Sequence, residues 1–567
     1  MAHPLTNNLE TVDLVVVGAG AAGMTAALVA AHEGLRVVLC ESTQQVGGTT
    51  ATSAGTLWIP GNRHGREAGY EDCVDHAARY LEALSGLDDE RDRRRAFLQT
   101  GDEAVAWLEA HTQVAFTSSG VHPDYLVRVG AADAGRALSP APFDGRQLGK
   151  PDFRRIRPPI PEFLVLGGMM VGKADVQSLV GRWSSAKSFF RSAHLLTRYF
   201  LDRLRYPRGT RLVMGNALVA RLFASARDKK IDVRFGWRLC KLIQEEGQVV
   251  GAVFDTSDGK SSIHSVRGVV LATGGVGHSG ALREELLGIH SSIPTLACES
   301  VTGEGIQVAR LVGGKLERHA HGDFFWQPVS RVPWPERRHG LFPHLFMDRA
   351  KPGLVAVDTL GRRFVNEASS YHHFVEGMRA HAANTGRDSV WFVCDAVFVQ
   401  RYGLGVIPPG TVCLRGWVKS GYVTVGDSLE SLSVQTGIDL AGLTTTISEA
   451  NRAAITGIDI AYAKGQSSLD RFNGDASHAP NPCLGSIATS PFVALRVLAA
   501  DAASSAGLAT DADGRVLTGN DAPIVGLYAC GNDAASVMVG TYPGPGATLG
   551  PALVFAYRVA RHAARKS

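Results

Sequence analysis

Residues 11–41 leave the chain little choice of fold. Thr11-Val12-Asp13-Leu14-Val15-Val16-Val17 has the composition of one strand buried in a parallel sheet. Gly18-Ala19-Gly20-Ala21-Ala22-Gly23 follows without a spacer, and an alanine-rich helix runs on to about Glu33. A second strand, Leu35 to Cys40, ends at Glu41. In this order the first glycine makes the turn, the second lets a pyrophosphate approach the backbone, and the third lets helix pack on strand. Glu41, with Ser42 beside it, falls where an acid binds the ribose hydroxyls of a dinucleotide. Leu14 to Ala31 is uncharged and about as long as a membrane span, but its three glycines mark a strand, a turn and a helix.

NAD and FAD both suit such a unit. Three further elements favour FAD. Gly47-Gly48-Thr49-Thr50-Ala51-Thr52-Ser53-Ala54-Gly55 is small and hydroxyl-rich, suited to a second phosphate and a ribityl chain, and it resembles the glycine doublet of large FAD-dependent oxidoreductases. Ala272-Thr273-Gly274-Gly275, closing the strand from Gly268, resembles the second glycine element of those proteins. Gly526 to Asn532, ending in Gly531-Asn532, resembles their carboxy-terminal flavin strand. The fold expected is α/β, with a Rossmann-like FAD-binding domain and an inserted α+β catalytic domain. We place the first at 1–328 plus 501–567 and the second at 329–500, where the strand-and-turn pattern carries no nucleotide signals.

A chain of 567 residues exceeds one ordinary core, which agrees with two domains. A net charge of +4 gives no reason to expect nucleic acid. Glycine is abundant at 64 residues without low-complexity repeats, as tight cofactor-hugging loops require. The eight cysteines are scattered with no C-x-x-C pair, so neither a zinc site nor an iron–sulfur cluster is expected. No secretory signal precedes Leu14, and cytoplasm is the expected compartment.

Between the ends, residues 70–115 are helix-patterned, and Glu90-Arg91-Asp92-Arg93-Arg94-Arg95 reads as a solvated face. Ser118 to Pro161 reads as a long proline-rich loop carrying Tyr125. Residues 184–211 interleave arginines with Phe189, Phe190, Phe200, Leu201 and Leu204. Two readings stand: a surface helix over the core, which is favoured, or an interfacial helix in peripheral contact with anionic lipid. His319, His321, His372 and His373 lack companions at ligand spacing, and no metal is expected. Phe324-Phe325-Trp326, Phe342 and Phe346 suit an apolar pocket or the core.

Near the carboxy terminus, Gly540-Thr541-Tyr542-Pro543-Gly544-Pro545-Gly546 makes a stiff turn leading into a helix with Arg558, Arg561, His562 and Arg565 toward its end. The helix start, with Gly546, Thr548 and Leu549, offers free N–H groups to negative charge.

This turn, Gly47-Gly48-Thr49-Thr50-Ala51 with Leu57-Trp58-Ile59-Pro60, and Gly361-Arg362-Arg363-Phe364-Val365-Asn366-Glu367 together resemble the 3-ketosteroid Δ1-dehydrogenases, within the fumarate-reductase-like flavoproteins. The resemblance runs nearly end to end. It implies a non-covalently bound FAD, a 3-ketosteroid substrate and an external electron acceptor such as a quinone. It also implies roles: Tyr371 as the base, Tyr125 as its hydrogen-bonding partner, and Tyr542 with the Gly546 N–H as donors to the substrate ketone. Ala503-Ser504-Ser505-Ala506-Gly507-Leu508 departs from the family's glycine-rich version of that loop. The alternatives are a 3-ketosteroid Δ4-(5α)-dehydrogenase, a fumarate-reductase-like enzyme, or a non-catalytic flavin electron carrier. Dicarboxylate reduction needs convergent arginine and histidine donors, which the sequence does not show.

Overall fold

The computed structural model describes residues 10–86, 91–181, 185–288, 292–334, 340–346 and 348–565. The expected first strand is two strands. β1 (Glu10–Val12) pairs with β7 (Gly259–Ser265) in a four-stranded sheet completed by β5 (Arg238–Glu245) and β6 (Gln248–Thr256). β2 (Leu14–Val17) enters a different, six-stranded sheet. The break falls at Asp13, whose carboxylate accepts the Arg36 N–H at 2.7 Å and so leaves both ladders.

That larger sheet has the order β14-β15-β8-β2-β3-β4, with β3 Val37–Glu41, β4 Asp232–Phe235, β8 Val269–Leu271, β14 Arg515–Leu517 and β15 Pro523–Ala529. All its pairs are parallel except the β14 edge. Helix α1 (Ala21–His32) is buried at every position from Ala21 to Ala30. A helix apolar all round belongs in a core, and its alanines let the sheet, α4 (Met214–Asp228) and the last helix, α6 (Leu549–Arg565), approach closely. The carboxyl ends of β2, β8 and β15 therefore open at one edge, where such sheets bind ligands.

A second, antiparallel sheet has the order β10-β9-β13-β12-β11, built from β9 (Phe324–Val332), β10 (Gly340–Pro343), β11 (Leu354–Val357), β12 (Val390–Asp395) and β13 (Phe492–Ser504). Helix α5 (Tyr371–Thr385) packs on it through Phe374, Val375 and Met378. The β9–β13 ladder slips between Phe325 and Trp326, leaving Ala502 as the extra residue of a bulge. Bulges re-aim side chains, and this one sits where β9 reaches the cleft described below.

Three sequence expectations need correction. Arg93 and Arg94 are not on a solvated face. They are buried on α2 (Arg91–His111), and they donate to the carbonyls of Ala535 and Val537. Glu90 lies outside the described residues. Residues 118–161 are not one loop, since they contain strand Ala137–Pro140 and helix Gly149–Arg155. Finally, α3 (Ala186–Arg203) does not lie over the main core. It closes a small cluster of its own with Met169, Leu195 and Tyr199, while Phe190 (70% exposed), Phe200, Leu201 and Leu204 (80%) face outward.

Candidate active site

Two of the glycines at the edge of the six-stranded sheet, Gly18 and Gly23, are there by steric necessity. Gly18 has φ +101°, and a Cβ on it would meet the Ala272 carbonyl oxygen at 2.3 Å. A Cβ on Gly23 would stand 1.8 Å from the Gly18 oxygen. Gly23 thus packs α1 onto the turn and does not line the cleft. The other cofactor candidates all line one continuous cleft: Gly18, Gly20, Ala21 and Ala22; Glu41 and Ser42; Gly48 to Gly55 except Ala51; Ala272 to Gly274; Gly531 and Asn532; and Gly546, Thr548 and Leu549. Its volume, mouth included, is about 1790 Å³.

The cleft has the chemistry FAD requires. The N–H groups of Gly546, Thr548 and Leu549 donate to no backbone carbonyl among the described hydrogen bonds. They sit at the positive end of a 17-residue helix. Glu41 is buried and fixed by the Ala19 N–H at 3.0 Å and the Thr43 N–H at 2.9 Å. Asp533, which sequence reasoning missed, staples two flavin-side loops together. It accepts from the Thr273 N–H (2.5 Å), the Thr273 hydroxyl (3.0 Å) and the Gly275 N–H (2.8 Å), and burial pushes its carboxyl up to about 6. Nothing in the sequence around Gly531-Asn532-Asp533 distinguishes it from an ordinary loop acid.

At the other end of the cleft the four catalytic candidates meet. Ser370 caps α5 by accepting the His373 N–H, which makes Tyr371 the first helical residue and aims it inward. Tyr125 donates to the Tyr371 oxygen at 3.2 Å, and Tyr371 donates to Tyr542 at 3.0 Å. The Tyr125 and Tyr542 rings stack at 5.6 Å, and each meets the Tyr371 ring edge-on, at 5.5 and 5.4 Å. Gly546 lines the same space. Burial raises all three phenols well above their ordinary range, and neighbouring phenols add to it. The charge of Arg349 opposes the rise at Tyr125 and Tyr371.

A rigid frame holds these groups. The Pro543 carbonyl accepts both the Tyr125 N–H (2.8 Å) and the Tyr80 hydroxyl (2.9 Å), tying the loop of one tyrosine to the turn of another. Asp124, next in chain to Tyr125, accepts from the Trp58 indole at 2.8 Å and from Arg136 at 2.6 Å. Arg136 reaches on to Asp72 at 2.8 Å. Gly544 must be glycine here, because a Cβ would meet the Trp58 ring at 2.7 Å. Trp58 and Asp124 stand inside motifs visible in the sequence; Tyr80, Asp72 and Arg136 carry no such signal.

Beyond the tyrosines the wall turns apolar, with Phe325, Phe346, Leu345, Pro343, Ile160 and Phe163. Gln327 and His122 are the polar side chains there, and no Arg or Lys lines the cleft among the described residues. Of the aromatic candidates, Phe325 and Phe346 reach the cleft, whereas Phe324, Trp326 and Phe342 are core. His372 is occupied structurally, its Nδ1 accepting the Trp326 N–H at 3.1 Å.

The FAD binding domain family model matches residues 13–549. The chain is 36% identical to the 4-oxocyclohex-2-ene-1-carboxylate 5-dehydrogenase of Sinomonas cyclohexanicum, over 100% of this chain and 96% of that one. It is 33% identical to the 3-oxosteroid 1-dehydrogenase of Mycolicibacterium smegmatis, over 97% and 96%. Among solved structures, the 3-ketosteroid Δ1-dehydrogenase from Sterolibacterium denitrificans, in complex with 1,4-androstadiene-3,17-dione, superposes with a TM-score of 0.89 at 32% identity, covering 98% of this chain and 99% of that one. Likeness along the whole chain, in sequence and in fold, makes this protein a member of the 3-ketosteroid Δ1-dehydrogenase family of FAD-dependent flavoproteins.

Proposed function

We propose that the protein introduces the C1–C2 double bond of 3-ketosteroids. The observation that carries this reading is the contact of three buried phenols beside Gly546 in the FAD cleft. A ketone acidifies only the carbon next to it, so the oxidation divides into a proton lost at C2 and a hydride lost at C1. Bound FAD supplies the two-electron acceptor. Tyr371 takes the proton from C2. Tyr542 and the Gly546 N–H donate to the ketone oxygen as it gains enolate character, an interaction worth roughly 3–4 kcal/mol per well-placed donor. Tyr125 donates to Tyr371 and holds its phenolate form. The stiff turn fixes both ketone donors before substrate arrives.

The relative that acts on 4-oxocyclohex-2-ene-1-carboxylate supports a second reading, a monocyclic keto acid. The wall argues against it. A buried carboxylate needs a cation or several donors; no Arg or Lys stands in the described lining, and the wall beside the tyrosines sets Gln327 and His122 among apolar side chains. A fused apolar ring system suits that surface.

The test is anaerobic mixing of the flavin-loaded protein with androst-4-ene-3,17-dione. Bleaching of the yellow flavin with formation of the 1,4-diene supports the proposal; bleaching by 4-oxocyclohex-2-ene-1-carboxylate alone assigns the second reading. Tyr371→Phe is expected to fold, hold flavin and lose turnover by about 10²–10⁴-fold, the range for a general base. Near-parent activity would remove Tyr371 from that role.

The catalytic unit is best taken as 329–500, closing over an FAD-binding unit of 1–328 and 501–567. Electrons then pass to an external acceptor, a quinone or a similar carrier. No helix among the described residues is long and apolar enough to cross a membrane. The outward Phe190, Phe200, Leu201 and Leu204 of the 184–211 segment, set among Lys187, Arg191, Arg203 and Arg205, favour peripheral contact with an anionic lipid surface.

A further inference from the structure

The three phenols sit inside a largely apolar shell, and a buried cation stands behind the cleft wall. Arg349 is 2% exposed and lies over the Phe374 ring at 5.0 Å. Its guanidinium is held by carbonyls and by no carboxylate among the described hydrogen bonds. Nε donates to His344 at 2.7 Å and Nη2 to Leu345 at 2.6 Å; Nη1 donates to Glu367 at 2.8 Å and Ser369 at 3.0 Å. The first two carbonyls belong to the segment that gives Leu345 and Phe346 to the cleft. The last two belong to the turn that runs into Ser370, the cap that aims Tyr371.

Holding two loops needs donors but not a charge. A buried cation costs several kcal/mol unless it is compensated, so its presence calls for a reason. Burial lowers its pKa only to about 10, which keeps it charged at neutral pH. The carboxylates of Asp348, Glu367 and Asp470 and the phenol of Tyr125 all act on it electrostatically. Tyr371 in turn faces Tyr125, Tyr542 and Arg349. Asp124 adds its field to Tyr125, and Thr548 donates to Tyr542. The His372 ring lies 5.4 Å from that of Tyr542. Arg349 is the cation in this set.

We propose that Arg349 is the positioning residue for the base: it clamps the turn that aims Tyr371 and supplies the positive field in which that phenol gives up its proton. The inference rests on the reading of Tyr371 as base.

The test uses flavin-loaded Arg349→Met and Arg349→Lys and measures flavin bleaching by saturating androst-4-ene-3,17-dione as a function of pH. In the parent the rate rises with pH to a plateau, and the midpoint reports the base. Arg349→Met is expected to move that midpoint up by at least about one unit, a tenfold slower rate on the acid limb. Arg349→Lys keeps the charge but not the fork of hydrogen bonds. Its plateau falls while its midpoint stays within about half a unit of the parent's. A flavin-loaded Arg349→Met with an unmoved midpoint overturns the proposal whatever its plateau. If that variant holds no flavin, flavin-loaded Arg349→Gln takes its place: the same upward shift upholds the field and an unmoved midpoint overturns it. Should Tyr371→Phe keep the parent rate, the base reading itself falls. An inactive Tyr371→Phe beside an unmoved Arg349 midpoint removes only the inference.

Discussion

Replacing Gly546 by alanine tests the ketone site through a single methyl group. Gly546 has φ +89°, a conformation that costs an alanine roughly 1–2 kcal/mol. The new Cβ would stand 2.4 Å from the Thr56 carbonyl oxygen and 2.7 Å from the Leu57 carbonyl carbon, where ordinary contact begins at 3.4 Å. Both neighbours are backbone, and residues 57–58 form a strand whose Trp58 N–H donates to the Gly546 carbonyl at 3.2 Å. The strand cannot step aside cheaply, so the turn moves instead, by up to about 1 Å. A shift of that size takes the Gly546 N–H out of hydrogen-bond reach of a ketone held by Tyr542. Loss of one such donor costs roughly 3–4 kcal/mol of barrier, or about 10²–10³ in rate. The assay is single-turnover flavin bleaching by androst-4-ene-3,17-dione, with each preparation normalised to its flavin content because Gly546 also lines the cofactor cleft. Bleaching within about threefold of the parent, in fully flavin-loaded protein, would refute the donor role.

Three further outcomes are expected. Glu367 is buried, and although burial raises its carboxyl, the charges of Arg363 and Lys464 prevail and hold it at about 2. Its stabilisation is therefore complete above the unfolded value of about 4.3 and is lost as pH falls toward 2, by about 3 kcal/mol. Denaturant titrations of the parent between pH 5 and 2.5 should show this slope, and Glu367→Gln should be destabilised by roughly 3–5 kcal/mol at pH 7 with a shallower slope, the rest coming from other paired carboxylates such as Asp348 and Asp175; an equally steep slope in the variant rules the assignment out. Asp124→Asn leaves the Trp58 indole without its charged partner and Arg136 with Asp72 alone, so flavin should stay bound while the maximal rate falls about tenfold or more; an unchanged rate shows that Tyr125 needs no such frame. Phe190→Ser with Leu204→Ser should abolish co-sedimentation with phosphatidylglycerol vesicles and leave turnover with soluble steroid unchanged, and undiminished sedimentation rejects α3 as the contact.

The nucleotide turn was legible because its residues lie close together in the sequence and in a fixed order. Gly18, Gly20 and Gly23 occupy fixed places in a strand–turn–helix unit, and Glu41 falls at the end of the next strand. The failures are equally physical. Arg93 and Arg94 looked solvated because a charge run hides which side chains find carbonyl partners 442 and 443 residues away. Thr11 to Val17 looked like one strand because the hydrogen bond from Arg36 to Asp13 that breaks it is not local.

By itself, then, the sequence determined the parallel sheet, its nucleotide turns, and the kinds of residue available for proton transfer. These follow from short-range rules: side-chain period, glycine tolerance of positive φ, and helix ends that need caps. The tertiary structure alone brought Tyr125, Tyr371 and Tyr542 into hydrogen-bond contact across 246 and 171 residues. It alone also set Arg349 behind them, because a buried charge is tolerated only where folding gathers enough carbonyl oxygens around it.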